Sequence, residues 1–326
     1  MKKILLFVVI ICMLLTSLAS CIQKDSVRFG VAEKAKETLD GKKILIAGCS
    51  YNFYGKMVNN VYNNVTDQAS RINDTGYFYE ICRQNGANVE VTNWCFGNHD
   101  LSDLFGTSCA ADRECGNGHN HLADLVDRDY DYVSMMDVMR PTSLTEDEYV
   151  EEIKSYMKLF TDVNPDCKFI YSVPCGAYWY KGERLYEHVK YLDKIAELPN
   201  VTVVDWGRLV LDLINLEAKV EDSDLFYYEK SFIVSDGYHP NLLSGYINAV
   251  MTYCAITGET AIGQPTNLEN GTEPASALKY KKENFVKNFY KGSTNFPEIM
   301  DSETDIRGIQ QLIDEYLEKK TYLDHS

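Results

Sequence analysis

Five short apolar runs recur along the chain, at Lys43–Gly48, Val89–Trp94, Tyr132–Met136, Lys168–Val173 and Val201–Asp205. Each is short enough for a strand, and between and after them lie four stretches whose apolar residues return at helical spacing, roughly 72–85, 145–162, 183–197 and 207–218. Thr145-Glu146-Asp147-Glu148 carries the signature of a capping box at a helix start, and Gly86 stands where a helix would stop. Two further helices are predicted at Leu242–Thr257 and Thr304–Lys320. Strands that alternate with helices imply an α/β fold with a parallel sheet covered on both faces, because parallel neighbours need long crossover connections. Function in such sheets collects beyond the carboxyl ends of the strands. In this sequence those ends are Gly48-Cys49-Ser50, Cys95-Phe96-Gly97-Asn98, Asp137 and Pro174-Cys175-Gly176.

The N-terminus has a different pattern. Lys2 and Lys3 precede an unbroken apolar run from Ile4 to Leu15, and Leu18-Ala19-Ser20-Cys21 follows. A run this short falls below the ~20 apolar residues that span a bilayer, which favours an export signal over a transmembrane anchor. The tetrapeptide is similar to a bacterial lipobox, which implies cleavage after residue 20 and lipidation of Cys21. An ordinary secretory signal is the plainer alternative. The expected organisation is a signal peptide at 1–20, a polar tether at 21–41, one α/β domain at 42–263 and a C-terminal extension at 264–326 that ends in a helix. The expected location is the outer face of a bacterial membrane, reached through the lipid alone.

Charge narrows the partners. The formal net charge is -16, and a leader whose only charges are Lys2 and Lys3 leaves the rest two units more negative. Such a surface repels phosphate backbones and anionic headgroups, so nucleic acid is not an expected partner.

Composition also bears on the long irregular stretch between Gly97 and Asp124, which interrupts the strand–helix alternation. A loop of this length inside a domain is usually functional or cross-linked. The chain has 10 cysteines, and in an exported protein Cys109 and Cys115 are the expected disulfide pair. Cys109, Cys115, His119 and His121 could alternatively bind zinc, but their spacing matches none of the common zinc signatures, so no metal or other cofactor is expected. His99 lies nearer the expected pocket. Tyr178-Trp179-Tyr180, after the fourth strand, suit stacking on a sugar face or anchoring of a loop.

Chemistry is concentrated at the two ends of the domain. Ser50 follows a strand directly, where a sharp turn into a helix would expose its hydroxyl, although a serine there also serves as a helix cap. Ser235-Asp236-Gly237-Tyr238-His239-Pro240-Asn241 precedes the helix at Leu242. A histidine activates a serine when one ring nitrogen faces the hydroxyl and the other donates to a carboxylate, and an aspartate three residues earlier can do this across a tight turn.

These two blocks, with the alternation between them from about Lys43 to Gly263, resemble the SGNH/GDSL hydrolase superfamily. His239-Pro240-Asn241, Ser244-Gly245-Tyr246-Ile247-Asn248-Ala249 and Thr257-Gly258 resemble, more closely, a branch of SGNH-like bacterial lipoproteins. The resemblance implies a flavodoxin-like three-layer α/β/α sandwich with a five-stranded parallel sheet. It implies a metal-free serine esterase or deacylase acting on a small-molecule or glycan ester. Carried over, Ser50 is the nucleophile, His239 the base and Asp236 its partner, while the backbone N–H groups of Ser50 and Gly97 hold the oxyanion. Two positions depart from the family. Cys49 stands where the first block has aspartate. Met135-Met136-Asp137-Val138 contains none of the third block's asparagine, so Asn98 is the expected substitute donor and Asp137 is expected to turn away, toward Arg140. A binding lipoprotein with a weak or inactive site is the alternative.

Overall fold

The computed structural model describes residues 34–58, 68–71, 74–107, 109, 118–137, 144–175, 191–215, 217–218, 220, 232, 239–266 and 303–319. Five strands form a single parallel sheet: β1 (Lys43–Gly48), β2 (Glu90–Cys95), β3 (Tyr132–Met135), β4 (Lys168–Ser172) and β5 (Val201–Val204), in the order β2-β1-β3-β4-β5. Among the described residues, beyond a helical stretch at 34–39, the helices are α1 (Ser50–Tyr54), α2 (Tyr77–Gln84), α3 (Leu101–Phe105), α4 (His121–Asp124), α5 (Glu146–Thr161), α6 (Leu192–Ala196), α7 (Trp206–Ile214), α8 (Leu242–Thr257) and α9 (Glu303–Lys319).

Alternation along the strands divides the interior into two cores. Ile44 and Ile46 of β1, with Val91, Ile170 and Val204, meet α2, α7, α8 and α9 on one face. Leu45 and Ala47 of the same strand, with Val133, Met135, Phe169, Tyr171 and Val203, meet α3, α5 and α6 on the other. The result is the expected three-layer α/β/α sandwich. Burying each large aliphatic side chain in these layers contributes about 1.5–3 kcal/mol, which is why central α8 is apolar nearly all round.

Local signals account for most boundaries. Thr145 Oγ1 accepts from Glu148 N–H while the Glu148 carboxylate accepts from Thr145 N–H, which makes the predicted capping box at α5. Gly258 closes α8 in the left-handed conformation at φ 66°. Two expectations shift. The helix expected from residue 72 begins only at Tyr77, because Gly76 sits at φ 103° with no room for a Cβ against the Met57 carbonyl at 2.8 Å. The tether expected up to residue 41 is docked before it ends. Residues 34–39 are helical, Ala35 and Leu39 are fully buried, and Lys34 Nζ donates to the Gly258 carbonyl at 2.9 Å. Of the helix expected at 183–197, residues 191–197 fall among the described residues, and of these Leu192–Ala196 form the helix.

Helix α9 packs across α7 and α8. Ile309 and Ile313 are fully buried in the first core, and Gln310 Nε2 donates to Tyr246 Oη and to the Gln264 carbonyl, both at 2.9 Å. The Gln310 side-chain oxygen accepts from Gly263 N–H at 2.9 Å, and Tyr316 Oη donates to Asp212 at 2.5 Å. Among the described residues no helix is long and apolar enough to cross a membrane.

Candidate active site

The chain reverses its direction of winding at β1, which has β2 on one side and β3 on the other. This is the topological switch point, where the loops leaving adjacent strands part and a crevice opens. Ser50, Gly97 and Asp137 each lie two residues beyond the end of one of these three strands. Backbone bonds continue past the strands on both sides, from Phe96 N–H to the Gly48 carbonyl and from Met136 N–H to the Ala47 carbonyl, each at 3.0 Å.

Gly48 makes the sharp exit from β1 possible. Its φ is 156°, and a Cβ there would lie 2.9 Å from both the Met136 carbonyl oxygen and Asn52 Nδ2. Buried Cys49 then takes an extended conformation and Ser50 becomes the first residue of α1. The first N–H groups of a helix have no partner inside the helix, so the Ser50 N–H is suited to meet an anion. Burial raises the Cys49 thiol well above its ordinary pKa, which keeps it neutral.

Two helices bring the second group into place. At the far end of α1 the backbone of Gly55 rests on that of Gly245 in α8, and a Cβ at Gly245 would fall 1.5 Å from the Gly55 carbonyl oxygen. Asn241 caps α8, its side chain accepting from Leu243 N–H at 2.9 Å and from Ser244 N–H at 3.2 Å. His239, three residues before α8, is thereby held over α1, with Nε2 2.6 Å from Ser50 Oγ. With the ring proton on Nδ1, the serine hydroxyl donates to Nε2. The ring is buried and stacks on Tyr54 at 3.9 Å between centroids with 12° between planes, while Tyr51 stands 5.5 Å away. Tyr54 had no functional role in the sequence reading, yet it lies four residues after Ser50, one turn along the same helix face.

The turn after β2 is organised by His99. His99 N–H donates to the Phe96 carbonyl, and ring Nδ1 contacts the Gly97 carbonyl at 2.6 Å, as donor in that tautomer. In a trans peptide the N–H points opposite to the C=O, so the N–H groups of Gly97 and Asn98 both face away from His99. Asn98 has φ 62°, the positive value that the third position of a type II turn requires and that asparagine tolerates. Beneath this turn lies the fully buried Arg71. It donates to the carbonyls of Asn93 at 2.9 Å and Cys95 at 2.6 Å, and its guanidinium stacks 3.9 Å from the centre of the Phe96 ring. Burial lowers the Arg71 pKa to about 10. No spacing rule singles out an arginine in so short a turn.

The Asp137 carboxylate faces the starts of α3 and α5. One carboxylate oxygen accepts from Leu101 N–H at 3.2 Å and the other from Tyr149 Oη at 2.8 Å, with Tyr171 Oη a further 2.6 Å on. Burial of the carboxyl, and then the charge of Asp100, raise its pKa to about 7. The expected partner Arg140 lies outside the described residues. So do Asp236, Cys21, Cys115 and Tyr178-Trp179-Tyr180.

The irregular loop gathers three histidines. His121 is fully buried against Phe96 (4.0 Å between ring centroids), His99 (5.0 Å) and His119 (4.6 Å). His119 Nε2 lies 2.8 Å from an Asp124 oxygen. Two sets of potential ligand atoms, His99/Cys109/His121 and His119/His121/Asp124, each fall within 4.8 Å of one another. Burial, followed by the neighbouring His99, lowers the His121 pKa to about 3, so its ring is neutral.

A serine hydroxyl in contact with a histidine, set at the switch point of a parallel α/β/α sandwich, defines the class of site. No family model matches this sequence, and no curated protein matches it. Several solved structures are similar to it. An acetylxylan esterase from Geobacillus stearothermophilus shares 18% identity at TM-score 0.45, covering 68% of this chain and 96% of its own. A GDSL-like lipase from Parabacteroides merdae shares 16% at TM-score 0.44, covering 68% and 97%. A family two carbohydrate esterase from Clostridium thermocellum in complex with cellohexaose shares 14% at TM-score 0.41, covering 68% and 65%.

Proposed function

We propose that this chain is a serine esterase or deacylase of the SGNH/GDSL type, held at the cell surface by a lipid on Cys21. Its substrate is an acyl ester, with a small acyl group carried on a carbohydrate. The observation that carries this reading is the 2.6 Å contact between Ser50 Oγ and His239 Nε2. That distance lies within the range needed for general-base proton transfer.

In this reading His239 accepts the Ser50 proton as Oγ attacks the ester carbonyl. The negative charge on the carbonyl oxygen is met by the Ser50 N–H at the start of α1 and by donors of the Gly97–Asn98 turn. The imidazolium returns its proton to the leaving alkoxide, and an acyl-enzyme remains. Water then gives a proton to His239 and attacks the acyl carbon, releasing the acid and restoring Ser50. Asp236 holds the ring through Nδ1. Tyr54, stacked on the imidazole, limits its rotation.

The test is labelling by a fluorophosphonate probe together with hydrolysis of p-nitrophenyl acetate. The wild type reacts, Ser50→Ala is unreactive, and His239→Ala loses about 10²–10⁴-fold of the rate. Equal inertness of wild type and Ser50→Ala overturns the hydrolase. Cys21→Ser releases the protein from membranes; retention there overturns the lipid anchor. One observation favours the second reading, a binding protein without turnover. The residue where the family supplies an amide is Asp137, and its carboxyl is engaged with Tyr149 and Leu101. Losing one oxyanion donor costs about 10²–10³ in rate.

A further inference from the structure

We propose that His119, His121 and Asp124 form a binding site for a divalent transition metal ion of the zinc class. The site stands behind the Gly97–Asn98 turn and is separate from the Ser50/His239 pair. The three potential ligand atoms already lie within 4.8 Å of one another. Tetrahedral zinc, with bonds of about 2.0–2.2 Å to imidazole nitrogen and carboxylate oxygen, holds its ligand atoms roughly 3.3–3.5 Å apart.

The independent observation is His121. Its side chain is fully buried, and among the described residues neither Nδ1 nor Nε2 has a hydrogen-bond partner. A buried imidazole that satisfies neither nitrogen is costly unless something else takes up a lone pair. His121 and Asp124 stand three residues apart on the single turn of α4, on one side of it, and His119 approaches from the segment just before. The ligand spacing is therefore His-x-His-x-x-Asp.

Charge and access fit the same ion. Asp124 brings a carboxylate oxygen to two imidazole nitrogens, the mixed nitrogen and carboxylate set that zinc accepts. The His119 and Asp124 side chains remain 29% and 30% exposed, which gives an ion a path from solvent to the buried His121. His99 faces the His121 ring at 5.0 Å. Ester hydrolysis in the mechanism above needs no metal, so this proposal stands or falls independently of it.

The test uses the full chain freed of metal with a chelator and titrated with Zn²⁺ by calorimetry, with thermal melts run in parallel. The wild type takes up one Zn²⁺ per chain and its Tm rises. His119→Gln and Asp124→Asn, both at half-exposed positions where folding is retained, each lower the affinity at least about 10-fold, and the double variant shows no Zn²⁺-dependent rise in Tm. His121→Ala also loses uptake; should it fail to fold, the two surface variants decide. The proposal is overturned if the wild type takes up no stoichiometric Zn²⁺, or if the double variant takes it up as tightly as the wild type.

Discussion

Gly245→Ala is the substitution that most directly tests how this molecule brings its serine and histidine together. The added Cβ would stand 1.5 Å from the Gly55 carbonyl oxygen and 2.2 Å from its carbon. Both are backbone atoms, so no side chain can swing aside, and α1 and α8 must part by about 2 Å to regain ordinary contact. Overpacking of this kind costs about 1–3 kcal/mol. In a domain of this size that lowers Tm by about 2–12 °C. The effect on chemistry is larger than the effect on stability. Ser50 opens α1 and His239 leads into α8, so the parting falls on their 2.6 Å contact, and a misplacement of only about 1 Å costs roughly 10²-fold in rate. The assay pairs a thermal melt with the rate constant for fluorophosphonate labelling, both measured against wild type and Ser50→Ala. The expected outcome is a lower Tm together with labelling slowed at least about 100-fold. A variant that keeps the wild-type Tm and a labelling rate within about threefold of wild type refutes the Gly55–Gly245 contact as the element that sets the distance.

Further expectations follow from other contacts. Asp137 has a folded pKa of about 7 against its ordinary 3.8, so between those values the folded state binds more protons than the unfolded one and stability falls as pH rises through that window. Asp137→Asn removes this slope, and melts between about pH 4 and 8 that run parallel for wild type and variant would contradict the assignment. Ile313→Ala in α9 deletes a fully buried side chain and should cost about 2–5 kcal/mol in denaturant titrations; a cost under about 0.5 kcal/mol would show that α9 is not part of the core. Thr145→Ala removes one half of the capping box and should cost about 1 kcal/mol by the same measurement, with no change in labelling rate.

The frame of the molecule could be read from the sequence because its causes are local. Lys43–Gly48 and Lys168–Ser172 announce themselves as short apolar runs, and Thr145 with Glu148 announces the start of α5. Ser50 was legible from its place at a strand end and His239 from its place before a helix. Their approach depends on two glycines 190 residues apart in sequence, Gly55 and Gly245, whose backbone contact no local pattern encodes. Arg71 escaped for a related reason. Its partners are the carbonyls of Asn93 and Cys95, and an arginine in a polar turn looks the same whether it is buried or solvated. The docking of residues 34–39 left a trace in the sequence, Ala35 and Leu39 four residues apart, too brief to stand out from the charged residues around it. The histidines of the loop were visible as a cluster, but only the burial of His121 separates it from a surface histidine.

Helix α9 has a bearing on how the chain is made. The face of α7 and α8 that it covers belongs to residues finished well before it, with roughly sixty residues of chain between the end of α8 and the end of α9. At ribosomal rates of about 5–20 residues per second, the first core therefore stays open on one side for several seconds after its sheet and central helix are available. This face is covered only once α9 has been made, and until then the nascent chain presents an apolar face around Tyr246 to whatever meets it first.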